Sequence, residues 1–335
     1  MTTDPIEIIA VGNPIIDIYA GIDEQGFSCL KKTAPDFEWG QVRHVDDELF
    51  AELLSCVDPE DIVPGGGAYN ALRILAQRGF RTGFVGALGG GAASTADDTA
   101  PSAVGGMSFG PELFREEMRH FGIVDLTATV SGRPTGRSLC LRDTAGGAES
   151  LLIFNPAAAT ELGAISEDAS GTLKPRLIYL EGFVLPRTAL VEDILAWRGR
   201  VGAKLAVDLG ASPIVGARRD FLLEELLPRT SFLFGTKEEL EAFGLMYDEL
   251  LHRMNRGVLV CKKGPDGSSV LFGESRIDVP ARAVSVLDTT GAGDAYAAFF
   301  LTEYLRGRTV EQAAESAAYG SSLVLRQYGG RIPEH

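Results

Sequence analysis

The chain has 335 residues, 45% of them apolar and 23% charged, with a net charge of -15. That is ordinary globular usage, with enough apolar residues to build a core. The acidic balance, and Lys/Arg runs no longer than two residues, exclude the basic stripe a nucleic-acid surface needs, so an anionic ligand would rely on backbone N–H groups, a few local cations or a metal.

In chain order, IEIIAVG is a short apolar strand ending at Gly12, followed by Asn13-Pro14 and the alternating run IIDIYAGID. A polar, turn-rich stretch then reaches about Asp61. From Asn70, ALRILAQRG has helical spacing and ends at Gly79, a fitting glycine just past a helix. RTGFVGALG is a strand. Residues 89–108 are small, polar and Gly-rich and predict a flexible insertion. PELFREEMRHFG is an amphipathic helix with Pro111 in its first turn.

The second half alternates. RLIYLEGF, KLAVDLG, SFLFG and GVLVCKKG are strands, separated by the helical segments ALVEDILAWRGR, DFLLEELLP and KEELEAFG. GSSVLFG and RIDVPA predict an antiparallel excursion, and two long helices follow Asp288. Apolar strands alternating with helices predict a mostly parallel sheet covered on both faces. The four cysteines, Cys29, Cys56, Cys140 and Cys261, are scattered and contain no C-x-x-C, so reduced thiols are expected. His44, His120, His252 and His335 form no metal-ligand spacing. No apolar run reaches the ~18 residues of a membrane span, and MTTDPIEIIAVG lacks a basic flank, which points to a soluble cytoplasmic protein.

The chemistry concentrates in DTTGAGDAYAAFF, residues 288–300. It follows a strand-like VSVL and enters a helix. Gly291, Ala292 and Gly293 form a turn whose N–H groups lie at the positive end of that helix, an anion site suited to developing phosphate charge. Asp294 beside it can accept the proton of an attacking hydroxyl. The bland alternative is a tight turn with an ordinary first-turn acid.

A second stretch, PGGGAYNALRILAQRG, puts Gly65 and Gly67 where a dinucleotide fingerprint wants glycines, but Asn70 replaces the third. It also reads as a turn that lets a substrate lie against the backbone, with the Asn70 amide binding hydroxyls, or as a plain cap by Asn70. GMSFG formally matches a nucleophile elbow at Ser108 but lacks the preceding strand. No Gly-Lys dipeptide exists, so a P-loop is excluded.

DTTGAGD, the GG-x-x-x-N helix entry and the GNPIID and YLEGF segments resemble the PfkB (ribokinase-like) carbohydrate kinase family, in its adenosine-kinase-like branch. The resemblance runs along nearly the whole chain. It implies a ribokinase-like three-layer α/β sandwich in a single domain, with a mostly parallel central sheet. A small β lid would be built from segments at about 13–62 and 135–155. It implies ATP and Mg2+, often a monovalent cation such as K+, and a small sugar or nucleoside acceptor, with monomer and homodimer both open.

Carried over, Asp294 matches the catalytic base and Gly291, Ala292 and Gly293 the anion hole. Asn13, Asp17, Gly65, Gly66 and Asn70 match the acceptor site. Lys263, Gly264 and Gly267 fall on the ATP-side strand and turn. FGTKEELEAF aligns with an N-x-x-E motif, so Glu239 matches the magnesium-organising glutamate, with Thr236 in place of Asn. Ser321 stands for the Asn usually near the nucleotide base. Glu149-Ser150 replaces an Arg-Ser pair, leaving open whether Arg137 or Lys263 replaces its charge. Phe183-Val184 replaces the two aromatics of animal-type adenosine kinases. These departures also fit a catalytically weak binding or regulatory protein on a kinase scaffold, and Gly65 and Gly67 keep a nicotinamide dehydrogenase as a third reading.

Overall fold

The computed structural model describes residues 5–90, 103–104, 107–108, 110–144, 150–165 and 173–333. Most of the 89–108 insertion, and Glu149, lie outside the described residues.

A nine-stranded sheet runs in the order Ser275–Val279, Ser268–Phe272, Val258–Lys262, Phe232–Thr236, Lys204–Asp208, Leu177–Glu181, Ile8–Val11, Thr82–Val85, Val124–Asp125. Pairing is parallel from Val258–Lys262 to the last strand. The first two strands form the expected antiparallel excursion.

Side-chain alternation makes the layers. Ile8, Ala10, Leu177, Tyr179, Ala206, Phe232, Phe234 and Val260 pack into one core with the helices Gly67–Gln77, Ala292–Leu305 and Val310–Val324. Ile9, Val11, Ile178, Leu180, Leu205, Val207, Leu233 and Leu259 pack into a second core with Thr188–Val201. Continuous apolar runs are what a sheet buried on both faces requires. The fold is the expected ribokinase-like α/β sandwich.

A separate five-stranded sheet runs in the order Val42–His44, Ser150–Asn155, Gly136–Asp143, Ile15–Ile22, Asp61–Gly65. The stretch read as polar and turn-rich holds two helices, Glu24–Thr33 and Asp47–Leu54, capped by Asp23 on the Gly26 N–H and by Asp46 on the Leu49 N–H. Leu30, Phe50, Leu53 and Leu54 are their buried residues. The segment is polar on average because each helix buries only one narrow face. DFLLEELLP is not one regular helix: it runs from Arg219–Phe221 through a π turn, Leu222–Leu226, into a 3-10 turn, Leu227–Arg229.

The two helices also overturn the thiol expectation. They bring Cys29 and Cys56 within 5.8 Å, Cα to Cα, and the pair is a disulfide across a separation of 27 residues. Cys140 and Cys261 are free. Spacing alone could not show this, because the contact depends on helices the composition hides. The expected result of thiol labelling in denaturant without reductant is two reactive cysteines per chain, rising to four after reduction; four before reduction would contradict the pairing.

Candidate active site

Several strands of the main sheet end on a polar residue at the same edge. Glu181, Asp208, Thr236 and Lys262 are each the last residue of their strand, and Asn13 lies two residues past Val11. In open α/β sheets ligands bind outside the carboxyl ends of the strands. Glu181, Asp208 and Lys262 were missed by motif reading, although LIYLE, KLAVD and VLVCK each show one charge closing an apolar run.

Asp294 stands in the first turn of Ala292–Leu305, and its Oδ2 accepts from Asn70 Nδ2 at 3.0 Å. Enclosure by protein, then the charge of Asp208, push its pKa up to about 6, against the lowering effects of Asn70, Lys262 and Arg73. Gly291 caps the helix in the left-handed region, φ +76°, and a Cβ there would collide with the Gly330 Cα, so the turn requires glycine. The Ala292 N–H turns back to Thr289 O at 3.3 Å. The next amides, of Gly293 and Asp294, open the helix, where N–H groups have no intrahelical acceptor.

Asn70 lies within Gly67–Gln77, not at its cap, which is Gly66. Its Oδ1 accepts from Arg73, whose buried guanidinium also donates to Pro64 O, Gly329 O, Gly330 O and Glu117. The sequence placed no role on Arg73. It ties the Asn70 helix to the segment packed against Gly291.

Asp17, in the small sheet, accepts from Ser138 Oγ at 2.5 Å on the adjacent strand. Burial pushes its pKa up to about 7; Ser138 and Arg73 lower it, and Asp288 and Asp294 raise it. A Cβ on Gly65 would collide with the Asp17 carboxylate, and one on Gly66 with Asn13 O. Asn13 Oδ1 accepts from Arg187 at 2.6 Å. Glu181 accepts from the Ala68 N–H at 2.9 Å, and burial pushes its pKa up to about 7. The structure thus brings Asn13, Asp17, Gly65, Gly66 and Asn70 to one side of Asp294.

Other expected residues take different places. Lys263 turns outward to Asp278 at 3.2 Å, whereas Lys262 bonds both oxygens of Asp208 at 2.9 and 2.8 Å. Strand alternation also sends Arg137 away from Asp17: Ser138 faces it, and Arg137 lies over the Phe50 ring at 4.6 Å. Thr236 and Glu239 form a reciprocal capping box, the Glu239 carboxylate taking the Thr236 N–H at 2.8 Å. Ser321 Oγ donates to Ala292 O at 2.8 Å, pinning the last helix to the Gly291–Gly293 turn. Gly264 opens the short turn Gly264–Asp266, and Gly267 fits a hairpin where a Cβ would collide with Val279 O.

The dinucleotide reading is not supported. Gly65 ends a strand antiparallel to Ile15–Ile22 in the small sheet, not a strand of a parallel βαβ unit. Met107–Ser108 is a two-residue strand paired with Ala103–Val104.

The family model described as pfkB family carbohydrate kinase matches residues 95–335, more than half of the chain.

The chain belongs to the pfkB family of carbohydrate kinases.

Within the family, it is 35% identical over 113 residues to a nucleoside kinase of Methanocaldococcus jannaschii, a match spanning 32% of this chain and 37% of that protein. It is 22% identical to adenosine kinase 1 of Arabidopsis thaliana over 98% of this chain and 96% of that protein. Among solved structures, the adenosine kinase from Sinorhizobium meliloti superposes with a TM-score of 0.77 at 25% identity, covering 98% of this chain and 96% of its own. This full-length likeness places the chain in the adenosine-kinase-like branch of the pfkB family. No helix among the described residues is long and apolar enough to cross a membrane.

The buried acids set a pH dependence. Asp17 has a folded pKa of about 7 against an ordinary 3.8, so the folded state holds its proton more tightly. The stability it allows is complete below about pH 4 and is lost as pH rises through 7. The ceiling of that loss is on the order of 4 kcal/mol. Asp17→Asn should therefore raise the midpoint of urea unfolding at pH 8 and change it much less at pH 5. An equal effect at both pH values would contradict the assignment.

Proposed function

We propose that the chain transfers the γ-phosphoryl group of ATP to a hydroxyl of a small sugar or nucleoside, with Asp294 as the general base. The observation carrying this reading is the Asn70–Asp294 hydrogen bond, which joins the hydroxyl-binding groups to the first turn of a helix with open amides. The acceptor hydroxyl would lie between Asp17 and Asp294 and give its proton to Asp294 as its oxygen attacks phosphorus. The open amides of Gly293 and Asp294, where the Gly291–Gly293 turn enters the helix, would hold the charge on the transferring group.

Asp208 and Glu239 offer carboxylates on the phosphate side. Among the described residues no cluster of three or more His, Cys, Asp or Glu could hold a metal by itself. That donor set fits magnesium, which keeps several waters and shares its binding between few carboxylates and substrate phosphates. When bound, it would neutralise phosphate charge. We infer that the small sheet acts as the lid, since Asp17 is on its strand Ile15–Ile22 and Gly65 ends its strand Asp61–Gly65, and its approach would exclude water from the transfer.

A nucleoside is the acceptor class to test first. The full-length likeness to adenosine kinases supports it, as does the half-exposed ring of Phe183 just past Glu181 at the carboxyl edge.

The test is ADP release across a panel of nucleosides and sugars. With an accepted substrate, Asp294→Asn should lower turnover roughly 10²–10⁴-fold while ATP binding is kept; wild-type turnover in the variant would refute the mechanism. The base must be ionised, so kcat/KM should fall as pH drops below about 6. A flat profile from pH 5 to 8 would contradict it.

A further inference from the structure

We propose that Lys262 is the cation that contacts the terminal phosphoryl group, forming an anion subsite with the Gly291–Gly293 turn. This rests on the kinase reading above.

A Cβ placed on Gly293 would stand 2.9 Å from Lys262 Nζ, and the next nearest atoms are Lys262 Cε and Cδ. The ammonium therefore lies against the turn that leads into the open amides of Gly293 and Asp294. Strand parity puts it there. Val258 and Val260 face the same core as the helix Ala292–Leu305, Leu259 and Cys261 face the opposite one, and Lys262 continues the first set. The adjacent Lys263 points the other way, to Asp278.

Among the described residues, the three nearby arginines have partners of their own. Arg73 is spent on carbonyls, Asn70 and Glu117; Arg187 binds Asn13 and Ala159 O; Arg137 lies over the Phe50 ring and pairs with Asp47. Among the described residues Lys262 bonds Asp208, and the two form a nearly buried pair. An ammonium carries three donors, and Asp208 takes two of these bonds at one carboxylate. Burial opposes the charge, but Asp208 and Glu239 outweigh it, so the amine stays protonated. The third donor lets the ammonium meet a phosphate oxygen while it keeps Asp208.

In transfer, the bond between the acceptor oxygen and phosphorus forms as the bond from phosphorus to the bridging oxygen of ADP breaks. The hydroxyl proton goes to Asp294, and Lys262 keeps its own. The competing account makes Lys262–Asp208 a structural pair that spans the intervening strand Phe232–Thr236.

The two accounts separate by calorimetry with ADP and with β,γ-methylene-ATP, magnesium present, on the full chain. If Lys262 meets the terminal phosphoryl, Lys262→Met should weaken the methylene analogue roughly tenfold or more. It should weaken ADP less than about threefold, and Lys262→Arg should recover part of the lost discrimination. Equal weakening of both ligands, or none, in a variant that still melts cooperatively would make Lys262 structural and overturn the proposal. Lys262→Gln carries the same expectation and serves if the methionine variant does not fold. If the wild-type chain binds neither nucleotide, the kinase reading falls and this one with it. If it binds both and the variants do not discriminate, only the role of Lys262 falls.

Discussion

The hydrogen bond between Asn70 and Asp294 is the constraint on which the site depends. It joins residues 224 positions apart, on two helices of the same layer, and each helix is placed by packing on the same face of the main sheet. Neither partner can move without disturbing a core. Gly67 lies close enough to Asp294 that a Cβ would stand 3.2 Å from its Oδ1, and Gly291 lies against Gly330. Small residues here let backbones approach where side chains would hold them apart.

The parallel sheet does the rest. Its strands are apolar because both faces are covered, so charge is tolerated only where a strand leaves the core. Glu181, Asp208 and Lys262 occupy those exits. The outcome is a concentration of buried acids, Asp17, Glu181 and Asp294, all held above the ordinary carboxylate range. Such groups cost stability when ionised, and sites of that kind are where function and stability are expected to conflict.

Much of this was legible in the chain itself. DTTGAGD showed a turn, a helix start and an acid in one stretch, because these three features are local in sequence. The main strands and the two closing helices were equally plain from periodicity. Asn70 was found, though its partner could not be, since nothing local links it to Asp294. The small sheet's helices were hidden by one-sided burial, and with them the Cys29–Cys56 contact. Lys262 and Lys263 are adjacent and chemically identical, so only strand parity in the folded sheet separates them. Thr236 and Glu239 show the converse: a motif carried over for metal chemistry is also, in local terms, a helix cap.

The most direct test of the central claim is a crystal structure with a non-transferable ATP analogue and magnesium. The account predicts the terminal phosphate accepting hydrogen bonds from the Gly293 and Asp294 amides, with the Asp294 carboxylate facing the space beside Asp17. A nucleotide seated with its phosphates away from that helix start would contradict it.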